Sequence, residues 1–155
     1  MGDRYAVGLT QTDITTSTTG ADAAGSLESV ATVRPRIYDL IFSHGGTPAD
    51  NVIRWIVPRM TASNTSNSSV AENALDPGAP AADAIALEEY TGAPTVTTDS
   101  EVLDFALNQR ATFRWVAAPG GELVLPATTT DGFFFNASVA SGSPGSARVT
   151  CHWEE

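Results

Sequence analysis

Ala147-Arg148-Val149-Thr150-Cys151-His152-Trp153 puts Ala147, Val149, Cys151 and Trp153 on one side of an extended chain and Arg148, Thr150 and His152 on the other. Successive side chains alternate across a strand, so a period of two in apolar residues marks a half-buried strand rather than a helix. The same period recurs upstream. Gly132 to Val139 carries Phe133, Phe134 and Phe135, the third aligned with the first, and the Ser141-Gly142-Ser143-Pro144-Gly145 connector joins the two stretches.

Further upstream, Ala111 to Ala117 aligns Phe113 with Trp115, and Glu101 to Leu107 aligns Leu103, Phe105 and Leu107. Val52 to Met60 sets Ile53, Trp55 and Val57 against Val52, Arg54 and Ile56, and Pro58 predicts that this strand lies at an edge or bends there. Thr32 to Phe42 groups Tyr38, Leu40 and Phe42 opposite Ile37, Asp39 and Ile41; Tyr5, Val7 and Leu9 face one way near the start. Between these lie a Thr/Ser/Gly/Ala-rich stretch, residues 10–30, read as an extended arm or loop, and a polar stretch from Ala62 to Pro80 read as a long surface loop. Ala82 to Tyr90 has helical leanings but is short enough to be ambiguous. About eight strands spaced roughly ten residues apart predict a β-sandwich or barrel, formed as one domain over residues 1–155.

The chain has 155 residues, 18 acidic and 8 basic side chains, a net charge of −10 and a pI near 4.4. That balance repels phosphate backbones and argues against a nucleic-acid partner. No apolar run approaches the roughly 20 residues needed to cross a bilayer, so no membrane partner is expected. All eight basic residues are Arg, which excludes Schiff-base chemistry and a P-loop lysine. Cys151 stands alone, so no intrachain disulfide is expected, and no secretory signal is visible at Met1-Gly2-Asp3-Arg4-Tyr5.

Chemistry-bearing motifs are sparse. His44 and His152 are the two histidines; no H-E-x-x-H or C-x-x-C occurs, and neither a metal nor a cofactor is expected. His152 reads as a solvated edge residue and His44 as part of a turn with Gly45-Gly46. Cys151 and His152 point to opposite faces of one strand, which rules out a Cys–His dyad. Ser143 misses the G-x-S-x-G elbow because position 141 is Ser. Carboxylate pairs drawn from Asp39, Asp99, Glu101 and Asp104, or Glu88 with Glu89, are the remaining catalytic option, and with acids this numerous they read better as solvating charge. No enzyme is expected. Charges set amid apolar strand residues are costly unless paired, so Asp39 and Asp104 should meet arginines, with Arg34, Arg36, Arg110 and Arg114 near at hand in the sequence. Both faces of strand 37–42 are largely apolar, which predicts that the outer one is covered by an arm or a neighbouring subunit.

The segments Arg36-Ile37-Tyr38-Asp39-Leu40-Ile41-Phe42, Thr47-Pro48-Ala49-Asp50-Asn51 and Leu107-Asn108-Gln109-Arg110-Ala111-Thr112-Phe113-Arg114-Trp115-Val116-Ala117-Ala118-Pro119-Gly120-Gly121-Glu122-Leu123 resemble stretches of small β-sandwich structural proteins of tailed bacteriophages. The likeness runs from about Thr32 to Leu125, with a gap at the 62–100 loop. It implies a jelly-roll-like β-sandwich of about eight antiparallel strands with long loops. It further implies a non-enzymatic capsid decoration, or cement, protein on the virion exterior, a homotrimer bound to the major capsid protein. No catalytic residues come with the resemblance.

Under that reading Arg36, Asp39, Arg110 and Arg114 are interface candidates, and Tyr38, Ile41 and Trp55 belong either to the core or to the interface, which alternation alone does not separate. The rival of a different class is a carbohydrate-binding β-sandwich of a phage fibre, for which Trp55, Trp115, Trp153 and Tyr90 would be the stacking platform. A carboxylate-dependent hydrolase using Asp104 or Glu101 is the third reading.

Overall fold

The period-two segments form strands in the computed structural model, which describes residues 2–14, 23–64, 67–139 and 145–155. Fourteen strands occur among the described residues: β1 (Arg4–Ile14), β2 (Ala23–Glu28), β3 (Arg36–Gly45), β4 (Val52–Val57), β5 (Arg59–Ala62), β6 (Ser68–Val70), β7 (Asn73–Ala74), β8 (Ile85–Glu88), β9 (Thr95–Val96), β10 (Leu103–Asn108), β11 (Phe113–Val116), β12 (Leu123–Val124), β13 (Gly132–Val139) and β14 (Gly145–Glu154). None of the described residues is helical.

Antiparallel pairing is nested. β1 pairs with β14, β2 with β13, β3 with β11 and β4 with β10. Adding the β14–β3 and β13–β4 ladders gives two sheets ordered β11-β3-β14-β1 and β10-β4-β13-β2. First strand against last and second against next to last, split between two facing sheets, is the eight-stranded jelly roll. The remaining strands are additions: β7 beside β1, β12 beside β3, β8 and β6 beyond β2, and β5 between β13 and β9.

Inward side chains of both sheets make one core. Trp55 and Phe42 meet with ring centroids 5.1 Å apart, and Tyr5 stacks on Trp153 at 5.6 Å. Trp55, expected either in the core or at an interface, is fully buried and belongs to the core. Phe134 points the other way and is buried as well, against Ala23, Met60, Leu87 and Tyr90. Every residue of β13 is therefore buried, because the excursion between β4 and β10 crosses the outer face of this sheet.

Several expectations need correction. Residues 10–30 are not an arm: Thr10–Ile14 complete β1, and Ala23–Glu28 is a strand whose six residues are all buried. Residues 15–22 of that stretch lie outside the described residues. Small side chains here serve close packing; a Cβ at Gly25 would strike the Leu87 carbonyl, and one at Gly132 the Leu27 carbonyl. Ala82 to Tyr90 supplies strand β8, since pairing of Leu87, Ala86 and Ile85 with Ser26, Leu27 and Glu28 outweighs a weak helical propensity. The 62–80 segment is not all loop either, because it contains β6 and β7. Pro58 marks a bend: the chain turns between β4 and β5 while both stay paired with β13.

Replacing Trp55 by Ala removes the largest inward group of β4 and leaves a cavity, with an expected loss of about 3–5 kcal/mol in urea denaturation. A loss below about 1 kcal/mol would mean that this ring is not enclosed by the two sheets.

Candidate functional site

Strand β3 does not keep simple alternation. His152 pairs with Asp39 while the next residue, Trp153, pairs with Ile37, so β3 bulges by one residue at Tyr38. An extra residue shifts the phase of every side chain beyond it. Ile37, Leu40 and Phe42 consequently face the core, all fully buried. Tyr38, Asp39 and Ile41 share the outer face. The expected grouping of Tyr38 with Leu40 and Phe42 is thus overturned, since alternation has no means of showing a bulge.

The bulge builds a compact polar layer. Arg114 lies diagonally across the β3–β11 ladder from Asp39, and its guanidinium grips the carboxylate with both prongs, Nε to Oδ1 at 2.9 Å and Nη2 to Oδ2 at 2.6 Å. His152 Nδ1 stands 3.3 Å from Asp39 Oδ2. Asp39 is only 4% exposed, yet the hydrogen bond from Arg114 holds its carboxyl below the usual carboxylate range, with burial opposing and His152 assisting. The Tyr38 ring lies nearly parallel to His152, centroids 6.2 Å apart, with the Arg4 guanidinium 5.5 Å from its centre. Burial raises the Tyr38 phenol above its ordinary value. Arg4 also reaches Glu154 at 3.4 Å.

Beside this layer opens a cleft of about 290 Å³, bounded by Arg4, Arg36, Tyr38, Ala117, Pro119, Glu122 and Glu154. Glu122 is committed to its own turn, where its carboxylate accepts the Gly120 N–H at 3.2 Å. The structure therefore brings Arg36, Tyr38, Asp39, Ile41 and Arg114 onto one sheet face. It excludes Trp55, which is core, and Arg110, which sits exposed in the turn between β10 and β11.

Arginine–aspartate pairing holds at both expected acids. Arg54 grips Asp104 with Nε to Oδ1 at 3.0 Å and Nη2 to Oδ2 at 2.7 Å, on the outer face of the other sheet. That pair stands in solvent, whereas Asp39 does not. Cys151 is fully buried, and burial pushes its thiol up, so it is a core residue with no histidine on its side of the strand. His152 is not a solvated edge residue, because β14 runs between β3 and β1. His44 belongs to the end of β3 rather than to the turn after it; its ring packs on Gly145, and burial lowers its imidazole. Among the described residues no three His, Cys, Asp or Glu side chains converge as a metal-ligating group.

One buried acid was not visible in the sequence. Glu28 on β2 is 3% exposed and takes hydrogen bonds from Ser26, Ser63 and Tyr90, while the Tyr90 hydroxyl and Ser26 Oγ are 2.7 Å apart. Burial raises its carboxyl from 4.5 to about 6, the three hydroxyls opposing, and burial also raises the Tyr90 phenol. The stretch reads as a loop, so no period marked Glu28 as enclosed.

A scan against protein-family models, a search of curated proteins and a search of solved structures each returned no match.

Three outcomes test this electrostatic picture. Arg114→Ala should lower the urea midpoint more than Arg54→Ala, because it strips a guanidinium from an enclosed carboxylate rather than a solvated one. Asp39 stabilises the fold above the ordinary carboxylate range, and that contribution is lost as pH falls through its lowered value; Arg114→Ala should abolish this acid-side loss. Glu28 has the opposite sign, since its raised value favours the protonated form in the folded state. Melting temperature should rise as pH drops from 7 through about 6 toward 4.5, by on the order of 1 kcal/mol after solvent screening, or about 2–4 °C, and Glu28→Gln should flatten the slope.

Proposed function

We propose that this chain is a non-enzymatic virion structural protein, a capsid decoration protein that docks on the outer surface of the major capsid protein, assembles as a homotrimer and stabilises the shell from the virion exterior. The observation that carries this reading is the unequal treatment of the two sheets. The chain covers the outer face of β13 and β2 with its own excursion, burying both strands completely, yet leaves Tyr38, Ile41, Thr150 and Val116 on the outer face of β11-β3-β14-β1 partly or fully open.

That open face is already ordered. Asp39 is clamped by Arg114, and Tyr38 is held between Arg4 and His152. Immobilising a rotamer-rich side chain on association costs roughly 0.5–1.5 kcal/mol, so a face whose long side chains are held in advance binds at lower entropic cost. A partner that buries it meets a broad sheet with ion pairs already satisfied. Such a surface suits permanent adhesion, and the phage-structural resemblance of the β3 and β10–β11 segments points to the same role.

Glycan binding by stacking calls for a row of solvent-facing rings. Of the four rings considered for it, Trp55, Trp153 and Tyr90 are fully buried and Trp115 is half-buried, so no observation favours that reading. Asp104, named with Glu101 for hydrolysis, is gripped by Arg54.

Co-sedimentation of the full chain with purified expanded capsids of a tailed phage tests the proposal. Saturable binding is expected, weakened about tenfold or more by Ile41→Arg, which sets a charge in the middle of the open face. Absence of binding, or equal binding by the variant, would remove the sheet face from this role.

A further inference from the structure

The jelly roll is closed along one side and open along the other. At the β1 and β2 side, the added strands β7, β8 and β6 extend both sheets, and Tyr5, Val7, Leu9 and Ala86 are almost completely buried. At the opposite side the terminal strands are β10 and β11, and among the described residues neither has a strand beyond it. Their inward side chains belong to the same core layer but are incompletely enclosed: Leu103, Phe105, Leu107 and Trp115 are partly buried, and Phe113 is 39% exposed. Phe105 and Phe113 touch across this mouth with centroids 4.5 Å apart, and Phe42 closes its floor 5.1 Å from Phe105.

Of the devices that keep sheet edges apart, these carry a short β11 and the charges Asp104 and Arg114, both directed to the outer faces and already paired. Leu103-Asp104-Phe105-Ala106-Leu107-Asn108 and Phe113-Arg114-Trp115-Val116 contain no Pro, no Lys, no inward-pointing charge and no bulge in their pairing with β4 and β3. An apolar slot flanked by two free strand edges is the anatomy of a contact awaiting a partner.

Charge leaves this surface open to a second copy. Two chains of net charge −10 repel wherever their acidic surfaces approach. Around this mouth, however, Arg54, Arg110 and Arg114 stand against Asp39, Asp50, Asp104 and Glu101, a local sum of −1 from three positive and four negative groups. Three of the chain's eight cations are gathered at this incompletely enclosed edge of the core. We propose that this β10–β11 mouth is the self-association surface, where the Phe105–Phe113 sides of three copies converge about a threefold axis and each covers the core left open in its neighbour. The inference deepens the decoration reading and rests on it for the trimer; the mouth adjoins the shell-facing sheet along β11, whose Arg114 and Val116 lie on the outer face.

Native mass spectrometry and light scattering of the full chain test it, together with acrylamide quenching of Trp115, the one tryptophan not fully buried. An oligomer is expected at about 10 μM, with Trp115 becoming shielded as concentration rises. Phe113→Ser should raise the dissociation constant about tenfold or more. Arg110→Glu does the same without touching the core, by adding two negative charges per copy at the rim, and so guards against a folding defect in the first variant. Val96→Ser, an exposed apolar change on β9, should leave association unchanged. A chain that stays monomeric at about 100 μM, or an oligomer indifferent to both Phe113→Ser and Arg110→Glu, overturns the inference. Self-association without shell binding overturns the decoration reading alone; shell binding by a monomer overturns this inference together with the homotrimer and leaves the shell-docking role standing.

Discussion

Strand β14 is the constraint on which the rest of the molecule depends. It lies between β1 and β3 and pairs with both along nearly its whole length, so it fixes the register of three strands at once. Its alternation commits Ala147, Val149, Cys151 and Trp153 to the core and leaves His152 on the outside. Because His152 then sits opposite the bulge in β3, the same ladder decides that Tyr38 and Asp39 emerge on the outer face. The core and the candidate interaction face are two sides of one set of backbone hydrogen bonds.

Asp39 shows how such a face is stabilised. A carboxylate almost excluded from solvent is costly unless its oxygens are satisfied by a positive donor. Arg114 meets this need bidentately from the neighbouring strand and spends its own exposed side on solvent. Glu28 solves the same problem differently. Hydroxyls alone surround it, so its carboxyl shifts toward the protonated form instead of being held ionised. The two acids therefore pull the pH dependence of stability in opposite directions from the two sheets.

The division of labour between the sheets follows from where the chain spends its extra residues. The excursion between β4 and β10 crosses one outer face and, through β7, β8 and β6, also seals one side of the sandwich. Residues used there are not available for the opposite side, where β10 and β11 leave Phe105 and Phe113 half-covered. A closed side, an open side and a bare sheet give this small all-β domain three distinct surfaces.

Most strands were legible because alternation is local: Ile53, Trp55 and Val57, or Leu103, Phe105 and Leu107, declare their face within a few residues. Pairing of Asp39 and Asp104 with arginines was legible too, since a charge amid apolar neighbours needs a counter-charge wherever the chain goes. The failures were of three physical kinds. Strand β2 is made of small residues whose burial comes from sheets and an excursion packed on both sides of it, and composition alone resembles a loop. The phase change at Tyr38 arises from one extra residue in a ladder with β14, more than a hundred positions away. Glu28 is enclosed by Tyr90, brought over it by the same excursion. By itself the sequence determined strand periodicity, the acidic surface, the absence of lysine and the need for ion pairs, all properties of neighbouring residues or of composition. Only the tertiary structure decided the nested order of the strands, the outward turn of Tyr38 and Asp39 and the open β10–β11 mouth, because each depends on long-range pairing that places distant segments side by side.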